Sequence, residues 1–473
     1  MKPFISMYSP KIVVTLVYML QSSEYRVREY FAWLHRTRDF SKVIKRKRLI
    51  FTAKAKLLIL IGAVLYVSLV VLAITCALQG GLKLLVAGVL LVGLPYIVAY
   101  LLTVPLVIGR FFVQRPKEKQ LVAHAAERLC KQHCHKIAIA GSYGKTTFKE
   151  TLATILSESL HVAASPGNMN TPLGIANFAQ KLDGSEDVLI FELGEERVGD
   201  VRRLCELTCP NMGTITGISE AHLSSFGTVE NITQTVFELS DYLKSYDVYK
   251  NGDSELVASN VSPRDQHVYT EKGVNGWKVS DVETSLDGTS FTATKHGKTV
   301  WAHSKLLGRH QVGPLVACID IADKLGMSLA DIAEGVKQTV PFEHRMQPLH
   351  MFGATVIDDT YNGNPKGIEA GLEFLRSVDA RRKIFVTPGL VEQGDTSDTI
   401  HEAIGRQAAT VCDSIVLMRN STTAAIQRGL SAGKFSGEVK IIDNPVSFYM
   451  NLGSFIAAGD VVLMQNDWTD NYA

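Results

Sequence analysis

The sequence predicts an α/β protein in which a P-loop-type central domain and a C-terminal, Rossmann-like doubly wound domain follow a two-helix transmembrane hairpin. Two apolar runs, Leu57–Leu78 and Leu84–Gly109, contain no charged residue. A glycine-containing loop separates a buried strand from a helix within Lys136–Glu150. Beyond residue 341, short apolar strands alternate with amphipathic helices, which is the pattern of a parallel sheet covered by helices on both faces.

Length and composition exclude several classes of protein. At 473 residues the chain is too long for one ordinary domain. The content of 46% hydrophobic and 20% charged residues excludes a disordered or collagen-like chain. The net charge is only +2, so no nucleic-acid partner is expected. Seven cysteines are too few for a disulfide scaffold and indicate a reducing compartment.

The two apolar runs predict the hairpin. Roughly 20 apolar residues span the core of a bilayer, so each run is long enough to cross it. Only Gln79–Lys83 separates the runs. Residues 22–56 contain 11 Lys or Arg against 3 Asp or Glu, and more basic residues follow Gly109. The positive-inside rule therefore predicts a multi-pass protein of the cell membrane with everything after residue 115 in the cytoplasm. Buried helices of a soluble core are the alternative.

The remaining chain divides into three further segments. Residues 1–56 form a basic juxtamembrane segment, in which Ile12–Leu20 and Glu24–Arg38 suggest either an interfacial helix on anionic lipid or a solvated linker. The central domain is expected over 120–340, with antiparallel strands in its part 245–305. The C-terminal domain is expected over 341–473. Its predicted strands are Thr355–Ile357, Lys383–Val386, Ser414–Leu417 and Val461–Met464.

The glycine-containing loop indicates phosphate binding. Ile137–Ala140 form the strand, Gly141 and Gly144 permit the turn, and a helix is expected from Thr146. Backbone N–H groups in such a loop and at a helix N-terminus bind phosphate. Lys145 would reach the β- and γ-phosphates of a nucleotide, and the Thr146 hydroxyl would hold Mg²⁺. Ile139 stands where a complete motif has glycine, so the motif alone also permits a plain strand-to-helix turn.

Two further strands end in candidate metal ligands. The apolar run Val188–Gly194 contains Glu192 near its end, and Thr214–Leu223 runs into His222. A carboxylate at the end of a strand beside a phosphate loop is where Mg²⁺ coordination is usually completed.

Eight segments, in order along residues 136–473, carry a resemblance to a known family. They are GSYGKTTFKE (141–150), GNMNTPLGIANF (167–178), FELGEERVGDV (191–201), ITGISEAHLSSFGTVENI (215–232), LGRHQVGPLVA (307–317), HRMQ (344–347), IDDTYNGNPKGIEAGL (357–372) and GDVVL (459–463). On these segments the chain resembles the Mur ligase family, the ATP-dependent peptide ligases of cell-wall synthesis. The resemblance implies ATP and Mg²⁺ as cofactors.

The resemblance also implies an activity and a set of site residues. A carboxylate would be activated as an acyl phosphate and joined to the amine of an amino acid or a D-alanyl-D-alanine-like dipeptide. The implied catalytic residues are Lys145, Glu192 and His222, and the implied metal ligands are Thr146, Glu192 and His222. The implied nucleotide-binding residues are Gly141, Ser142, Tyr143, Gly144, Lys145, Thr146, Thr147, His310, Gln311, Arg345 and Asp359. The implied substrate-binding residues are Asn168, Thr171, Tyr361, Asn362 and Asn364.

The chain departs from the family pattern in three places. The hairpin replaces the first domain, which binds the UDP-sugar part of the substrate in the family, so the cell-wall precursor is either lipid-linked or held by a partner, and membrane lipids are expected partners. Residues 231–243 contain no lysine to carry the carbamate that bridges Mg²⁺ in the family; the position falls near Val236. Glu238 either substitutes as an acidic ligand or faces solvent. The adenine contact reads His310-Gln-Val-Gly-Pro314, and Gln465 replaces a lysine.

The sequence leaves three functions open. They are a membrane-anchored amide ligase, a catalytically weakened nucleotide-binding scaffold, and a related ligase or amidotransferase subunit that acts on another acid. The cysteines leave a smaller question open. Cys130 with Cys134, and Cys205 with Cys209, have a spacing of four residues, which is more typical of two thiols on one helix face than of a zinc site.

Overall fold

The computed structural model describes residues 8–37, 49–167, 169–219, 226–244, 246–263, 265–361, 363–390 and 393–466. The chain divides into two compact units, Met1–Gln120 and Leu121–Ala473.

The first unit is helical. Its helices are α1 (Lys11–Ser22), α2 (Val27–Arg36), α3 (Ala53–Gln79), α4 (Leu82–Leu101) and α5 (Val104–Gly109), and a π-helical turn follows at Arg110–Gln114. Thr52 caps α3, because its hydroxyl accepts a hydrogen bond from the Ala55 N–H at 3.2 Å. Gly80 and Gly81, at φ +65° and +59°, make the hairpin turn. The second apolar run is interrupted after Leu101, and α5 begins with Pro105 in its first turn, where the missing N–H is tolerated.

Helices α1 and α2 pack on the hairpin through a shared apolar cluster. The cluster includes Val13, Leu16 and Tyr30 from the two short helices and Leu58 and Val98 from the hairpin. The stretch Ile12–Leu20 is therefore a packed helix rather than a solvated linker. Many other side chains of α3 and α4 face outward as apolar surface. Within the described residues, two helical stretches are long and apolar enough to cross a bilayer: Ala53–Gln79 and the one that begins at Leu82.

Helix α6 (Arg115–Lys131) runs across the division at Gln120, and the second unit continues with a parallel six-stranded sheet of order β2-β3-β1-β4-β5-β6. Its strands are β1 (His135–Ala140), β2 (Val162–Ala164), β3 (Val188–Glu192), β4 (Met212–Ile215), β5 (Val248–Asn251) and β6 (His267–Tyr269). Strands β1 and β3 are buried almost throughout, which explains their continuous apolar sequences. Its helices are α7 (Lys145–Leu156), α8 (Pro172–Ala179), α9 (Asp200–Thr208), α10 (Val229–Tyr242), α11 (Glu255–Ala258), α12 (Val312–Lys324) and α13 (Leu329–Gln338).

An antiparallel sheet of order β10-β9-β8-β7 follows the parallel one in the chain. Its strands are β7 (Gly273–Val274), β8 (Trp277–Ser285), β9 (Gly288–Lys295) and β10 (Lys298–Ser304). The expected antiparallel strands in 245–305 are thus confirmed from Gly273 onward. The earlier part of that range was predicted wrongly, because β5 and β6 extend the parallel sheet.

The last part of the chain forms a second six-stranded sheet, of order β11-β12-β16-β13-β14-β15. Its strands are β11 (Gln347–Met351), β12 (Ala354–Asp359), β13 (Lys383–Thr387), β14 (Ser414–Met418), β15 (Glu438–Ile442) and β16 (Val461–Gln465). Among the described strands of this sheet, β11 alone pairs antiparallel. The helices are α14 (Pro365–Ser377), α15 (Ser397–Ala409), α16 (Thr423–Ala432), α17 (Pro445–Met450) and α18 (Leu452–Phe455). The sequence predicted the four inner strands and missed the two edge strands.

The cysteine pairs differ from the expected arrangement. Cys130, at the end of α6, is disulfide-bonded to Cys209, which follows α9, over a Cα–Cα distance of 5.3 Å. Cys134 and Cys205 are free. The four-residue spacing therefore did not predict the partners, because the packing of two helix ends brings distant cysteines together. A disulfide also differs from the expectation of a reducing compartment.

Candidate active site

The phosphate loop lies where β1 passes into α7, at the carboxyl edge of the parallel sheet, which is where α/β sheets bind ligands. Gly141 has φ +144°, and a Cβ there would collide with the Thr216 hydroxyl. The Ser142 N–H donates to the Gly217 carbonyl at 2.7 Å. Helix α7 begins at Lys145, one residue earlier than expected. The N–H groups of its first turn have no partners within the helix and point toward any anion bound at the loop.

The two residues that the sequence predicted as magnesium ligands, Thr146 and Glu192, are hydrogen-bonded to each other. The Thr146 hydroxyl donates to Glu192 Oε2 at 2.9 Å, and both side chains are buried. The other oxygen, Oε1, accepts from Asn170 Nδ2 at 3.1 Å. The sequence analysis named Asn168 and Thr171 in this segment and missed Asn170. Thr171 caps α8 by accepting from the Gly174 N–H at 3.2 Å.

Lys149 is a second residue that the sequence analysis missed. Its ammonium is fully buried and donates to the carbonyls of Ser165 at 2.7 Å and Gly167 at 2.6 Å. It also lies 3.6 Å from Glu192 Oε2. Lys149 therefore fixes the loop after β2 beside the candidate metal ligand. The available signal was a lysine one helical turn beyond Lys145 on the apolar face of α7.

Lys145 does not point into open space. Its ammonium donates to both carboxylate oxygens of Glu195 at 2.8 Å and also to the Gly141 carbonyl. The side chains are 11% and 3% exposed, so this is a buried ion pair. Glu195 was not among the predicted site residues, although an acid three residues after Glu192 was visible in the sequence.

Arg345 brings the C-terminal domain to the loop. Its guanidinium donates to the Thr146 hydroxyl at 3.2 Å and lies 4.7 Å from the centre of the Tyr361 ring. Burial lowers the pKa of Arg345, and the nearby Glu192 carboxylate opposes that effect. The Arg345 Nε is buried and has no partner among the described residues, so it can donate to a ligand.

Asp359 ends β12 in the same cleft. Its carboxylate accepts from the Met346 N–H at 3.1 Å and from Gln465 Nε2 at 2.7 Å. Burial raises the pKa of Asp359, and the Gln465 hydrogen bond lowers it by less than the burial raises it. Gln465 also donates to the Gly367 carbonyl at 2.9 Å. The neutral Gln465 thus replaces the cation that the family resemblance led us to expect.

A cavity of about 420 Å³ lies between the loop and the C-terminal domain, within the usual range for a small-molecule site. Seven predicted nucleotide-binding residues line it, namely Tyr143, Gly144, Thr147, His310, Gln311, Arg345 and Asp359. Gln311 Nε2 is 2.8 Å from His310 Nε2, so the two residues form one polar edge of the cavity.

Of the remaining predicted site residues, two lie in the described part of the chain and three do not. Asn364 caps α14, because its side chain accepts from the Gly367 N–H at 2.9 Å. Tyr361 lies under Arg345 at the cleft. His222, Asn168 and Asn362 lie outside the described residues.

The position of the missing lysine is filled by core packing. Val236 is completely buried in the apolar cluster on one face of the sheet. The Glu238 carboxylate accepts from the N–H groups of Gly199 at 2.7 Å and Arg202 at 2.8 Å, so it caps the start of α9. Glu238 is thus a partly exposed helix-capping residue, because the orphan N–H groups of a helix start recruit the nearest acceptor.

The residues present fit a magnesium–nucleotide complex. Thr146 and Glu192 supply the oxygen ligands that Mg²⁺ prefers. The glycine-permitted loop, the start of α7 and the unpartnered Arg345 Nε supply donors for phosphate oxygens.

Comparison with known proteins also indicates a nucleotide-dependent ligase. The model of the Mur ligase middle domain matches residues 139–322, and that of the Mur ligase, glutamate ligase domain matches residues 344–465. The UDP-N-acetylmuramoyl-tripeptide–D-alanyl-D-alanine ligase of Mycobacterium bovis is 30% identical over 355 residues, which cover 70% of this chain and 69% of the relative.

Two solved structures share the fold. MurF from Acinetobacter baumannii aligns with a TM-score of 0.65 at 23% identity, covering 74% of this chain and 77% of that one. MurF from Thermotoga maritima, in complex with ADP, aligns with a TM-score of 0.62 at 25% identity, covering 74% of this chain and 80% of that one. The chain therefore belongs to the Mur ligase family and is an ATP-dependent, ADP-forming ligase that uses ATP and Mg²⁺.

Proposed function

We propose that the protein is a membrane-anchored amide ligase that joins a D-alanyl-D-alanine-like dipeptide to the peptide of a cell-wall precursor. The observation that carries the proposal is the contact of Arg345 with Thr146 beside Glu192, which brings the C-terminal domain onto the phosphate loop. The substrate named for the Mycobacterium relative supports this choice of acceptor and donor.

The chemistry explains the residue types. The precursor carboxylate attacks the γ-phosphate, ADP leaves, and an acyl phosphate forms. The amine then attacks the acyl carbon, and phosphate leaves from a tetrahedral intermediate. Both steps place negative charge on oxygens, which Lys145, Arg345 and the loop N–H groups are suited to stabilise. Bound Mg²⁺ would add charge stabilisation at the phosphates, held by Thr146 and Glu192 together with His222.

The other site residues receive roles under the same proposal. Asp359 accepts a hydrogen bond from a ribose hydroxyl, and His310 and Gln311 face the base across the cavity. The residues proposed to meet the peptide substrates are Asn168, Thr171, Tyr361, Asn362 and Asn364. Closure of the two domains would bring the amine to the acyl phosphate.

The membrane anchor is the part of the proposal that rests on helices α3 and α4. Both are free of charge over most of their length, and their outward side chains are apolar. Basic residues flank the pair on both sides, which favours a cytoplasmic location for the catalytic domains. The proposed layout is a juxtamembrane segment over 1–56, a hairpin over 57–109, a central domain over 120–340 and a C-terminal domain over 341–473. A lipid-linked precursor suits an enzyme held at the membrane.

ADP release tests the ligase directly. The full-length protein in nanodiscs receives ATP, Mg²⁺, D-alanyl-D-alanine and either a UDP-linked or a lipid-linked tripeptide precursor. We expect ADP release that requires both peptide substrates and falls at least about 100-fold in Lys145→Ala, since a phosphate-stabilising cation is lost. The exposed Lys181→Ala serves as the matched control and retains activity. Equal ADP release when one or both of the peptide substrates are left out would contradict the proposal.

A second candidate is a nucleotide-binding scaffold, and the buried Val236 in place of the bridging lysine favours it. It predicts ATP binding without turnover for every precursor and no loss of cellular function in Glu192→Ala. A ligase that acts on another acid would instead release ADP only with a different acceptor. A panel of carboxylate acceptors in the same assay separates these outcomes.

A further inference from the structure

The start of helix α1 reaches the middle of the apolar hairpin. The Tyr66 hydroxyl, on α3, donates to the Tyr8 carbonyl. The Tyr8 hydroxyl donates in turn to the Val92 carbonyl of α4 at 3.1 Å. Tyr66 lies nine residues beyond Leu57, where the uncharged run begins, which is a helical rise of about 14 Å. Half of the hydrocarbon core of a bilayer is about 15 Å thick, so this contact lies near the centre of any bilayer that the hairpin crosses.

The other end of α1 lies level with the start of the hairpin. The Gln21 side chain donates to the Ile50 carbonyl at 2.8 Å and accepts from the Ile50 N–H at 2.9 Å. Just beyond α1, the centre of the Tyr25 ring lies 3.8 Å from the Lys54 ammonium. Lys54 belongs to the first turn of α3 and precedes the uncharged run. Helix α1 therefore runs antiparallel to α3, from the middle of the hairpin to the end at which α3 begins.

A glycine allows the close contact between these two ends. A Cβ at Gly62 of α3 would lie 2.6 Å from Val13 Cγ1 and 3.2 Å from the Leu102 side chain. Small residues let helices approach closely within a bilayer. Gly62 lies five residues beyond Leu57, a rise of about 8 Å. The three levels of contact thus agree that α1 lies along one half of the hairpin.

The length and composition of α1 suit half of a bilayer. Its 12 residues extend about 18 Å, which is too short to cross the hydrocarbon core. It contains one charged residue, the exposed Lys11, and a charge at this depth is costly, although the aliphatic stem of a lysine can extend toward the headgroups. Burial of apolar side chains opposes that cost. The buried side chains of α1 are Ile12, Val13, Leu16, Val17, Tyr18 and Leu20.

We propose that α1 is a re-entrant helix, which is embedded in the cytoplasmic leaflet alone and begins near the centre of the bilayer. Its partner is the acyl-chain region of that leaflet. No water is available at the bilayer centre, and the hydroxyls of Tyr8 and Tyr66 both have protein carbonyls as acceptors, as that environment requires. The inference rests on the proposed membrane anchor, and it moves part of the juxtamembrane segment into the bilayer.

Cysteine labelling tests the depth of α1. The full-length variants Ser9→Cys and Ser22→Cys place a thiol just before α1 and at its last residue. A membrane-impermeant maleimide is added to spheroplasts or to inverted vesicles, and peptide mass spectrometry separates the new thiol from the seven native cysteines. In inverted vesicles we expect Ser9→Cys to react about tenfold more slowly than Ser22→Cys, because a thiol in hydrocarbon does not ionise. In spheroplasts neither thiol reacts.

Gly62 provides an independent variant. Leucine at this position fills the space beside Val13, so Gly62→Leu should displace α1 and raise the labelling of Ser9→Cys in inverted vesicles about fivefold. Gly88→Leu on α4 is the matched control, because a Cβ there meets nothing within 4 Å, and it should leave the labelling unchanged.

Two labelling results would overturn the inference. Reaction of Ser9→Cys as fast as Ser22→Cys in inverted vesicles would place the whole helix outside the hydrocarbon. Reaction of Ser9→Cys in spheroplasts would show that the chain crosses the full bilayer at α1. Release of the wild type from membranes by carbonate would instead count against the proposed anchor, whereas a retained protein with fast Ser9→Cys labelling overturns only the position of α1.

Discussion

At the scale of single residues, the site depends on buried ions whose partners come from distant parts of the chain. The sequence predicted Lys145, Thr146 and Glu192, because each belongs to a recognisable strand, loop or helix start. It did not predict Lys149, Asn170 or Glu195, since the contacts of these polar groups come from residues that are distant in the chain. Lys149 reaches two carbonyls beyond β2 that no local pattern connects to α7.

Lys149 provides a test of this buried arrangement. Lys149→Met removes the partner of two carbonyls and leaves Glu192 with one fewer nearby cation. We expect a loss of about 3 kcal/mol in the free energy of unfolding, because breaking a buried charged contact strands its partner. Chemical denaturation of the purified protein measures the change. Lys181→Met, at an exposed position, should stay within about 0.5 kcal/mol of the wild type.

The buried Asp359 carboxylate and its partner Gln465 lead us to expect that ADP affinity depends on pH. Burial raises the folded-state pKa of Asp359, so the stability linked to its protonated form is present below the ordinary value of about 3.9 and is lost as the pH rises through the folded pKa. The same protonation removes an acceptor for the ribose. We therefore expect ADP affinity to fall on acidification with a midpoint above about 3.9.

Gln465→Lys should move that midpoint to lower pH, because an ammonium beside the carboxylate favours its charged form. Isothermal titration of ADP at several pH values measures both proteins. Identical midpoints in the two would show that Asp359 does not control the pH dependence.

At the scale of elements, apolar sequence predicted the strands at the centre of each sheet and failed at the edges. Strands β1 and β3 read as continuous apolar runs because both faces are covered. Strand β11 contains Pro348, and β15 contains charged residues, both of which edge strands tolerate. Neither strand therefore shows a clear alternation of apolar and polar residues. The partner of Cys130 was unpredictable for a related reason: only the packing of α6 against the end of α9 brings Cys209 within reach.

The disulfide makes a prediction about these two helix ends. It closes a loop with a sequence separation of 79, and the loss of chain entropy in the unfolded state predicts that such a bond stabilises the fold by about 4.5 kcal/mol. We expect the oxidised wild type to melt at a higher temperature than Cys209→Ser, and the difference to disappear in reductant. Thermal melting with and without dithiothreitol measures it. A reductant effect of equal size in Cys209→Ser would assign the stabilisation to other groups.

At the scale of the whole molecule, a hairpin of two long apolar helices and a two-domain ligase share one chain. The matching family models begin at residue 139, so the helical first unit has to be understood from its own physics. Many apolar side chains of α3 and α4 are exposed within the described part of that unit.

The proposed anchor can be tested with charges on this surface. Val67 on α3 and Val89 on α4 are 59% and 70% exposed. Arginine at both positions should release the protein from membranes, since each charge at the centre of a span costs about 3 kcal/mol. Carbonate extraction followed by immunoblotting measures the membrane fraction. Val446→Arg, at an exposed position of α17, is the control, and equal retention of all proteins would argue against the anchor.

The Thr146 hydroxyl can form more contacts than the two hydrogen bonds that it makes. One hydroxyl oxygen carries one proton and two lone pairs. The proton is directed to Glu192, and one lone pair accepts from Arg345. The second lone pair remains free, so a cation can coordinate this oxygen while the hydrogen bonds to Glu192 and Arg345 persist. The contact between the central and C-terminal domains therefore need not break at each turnover.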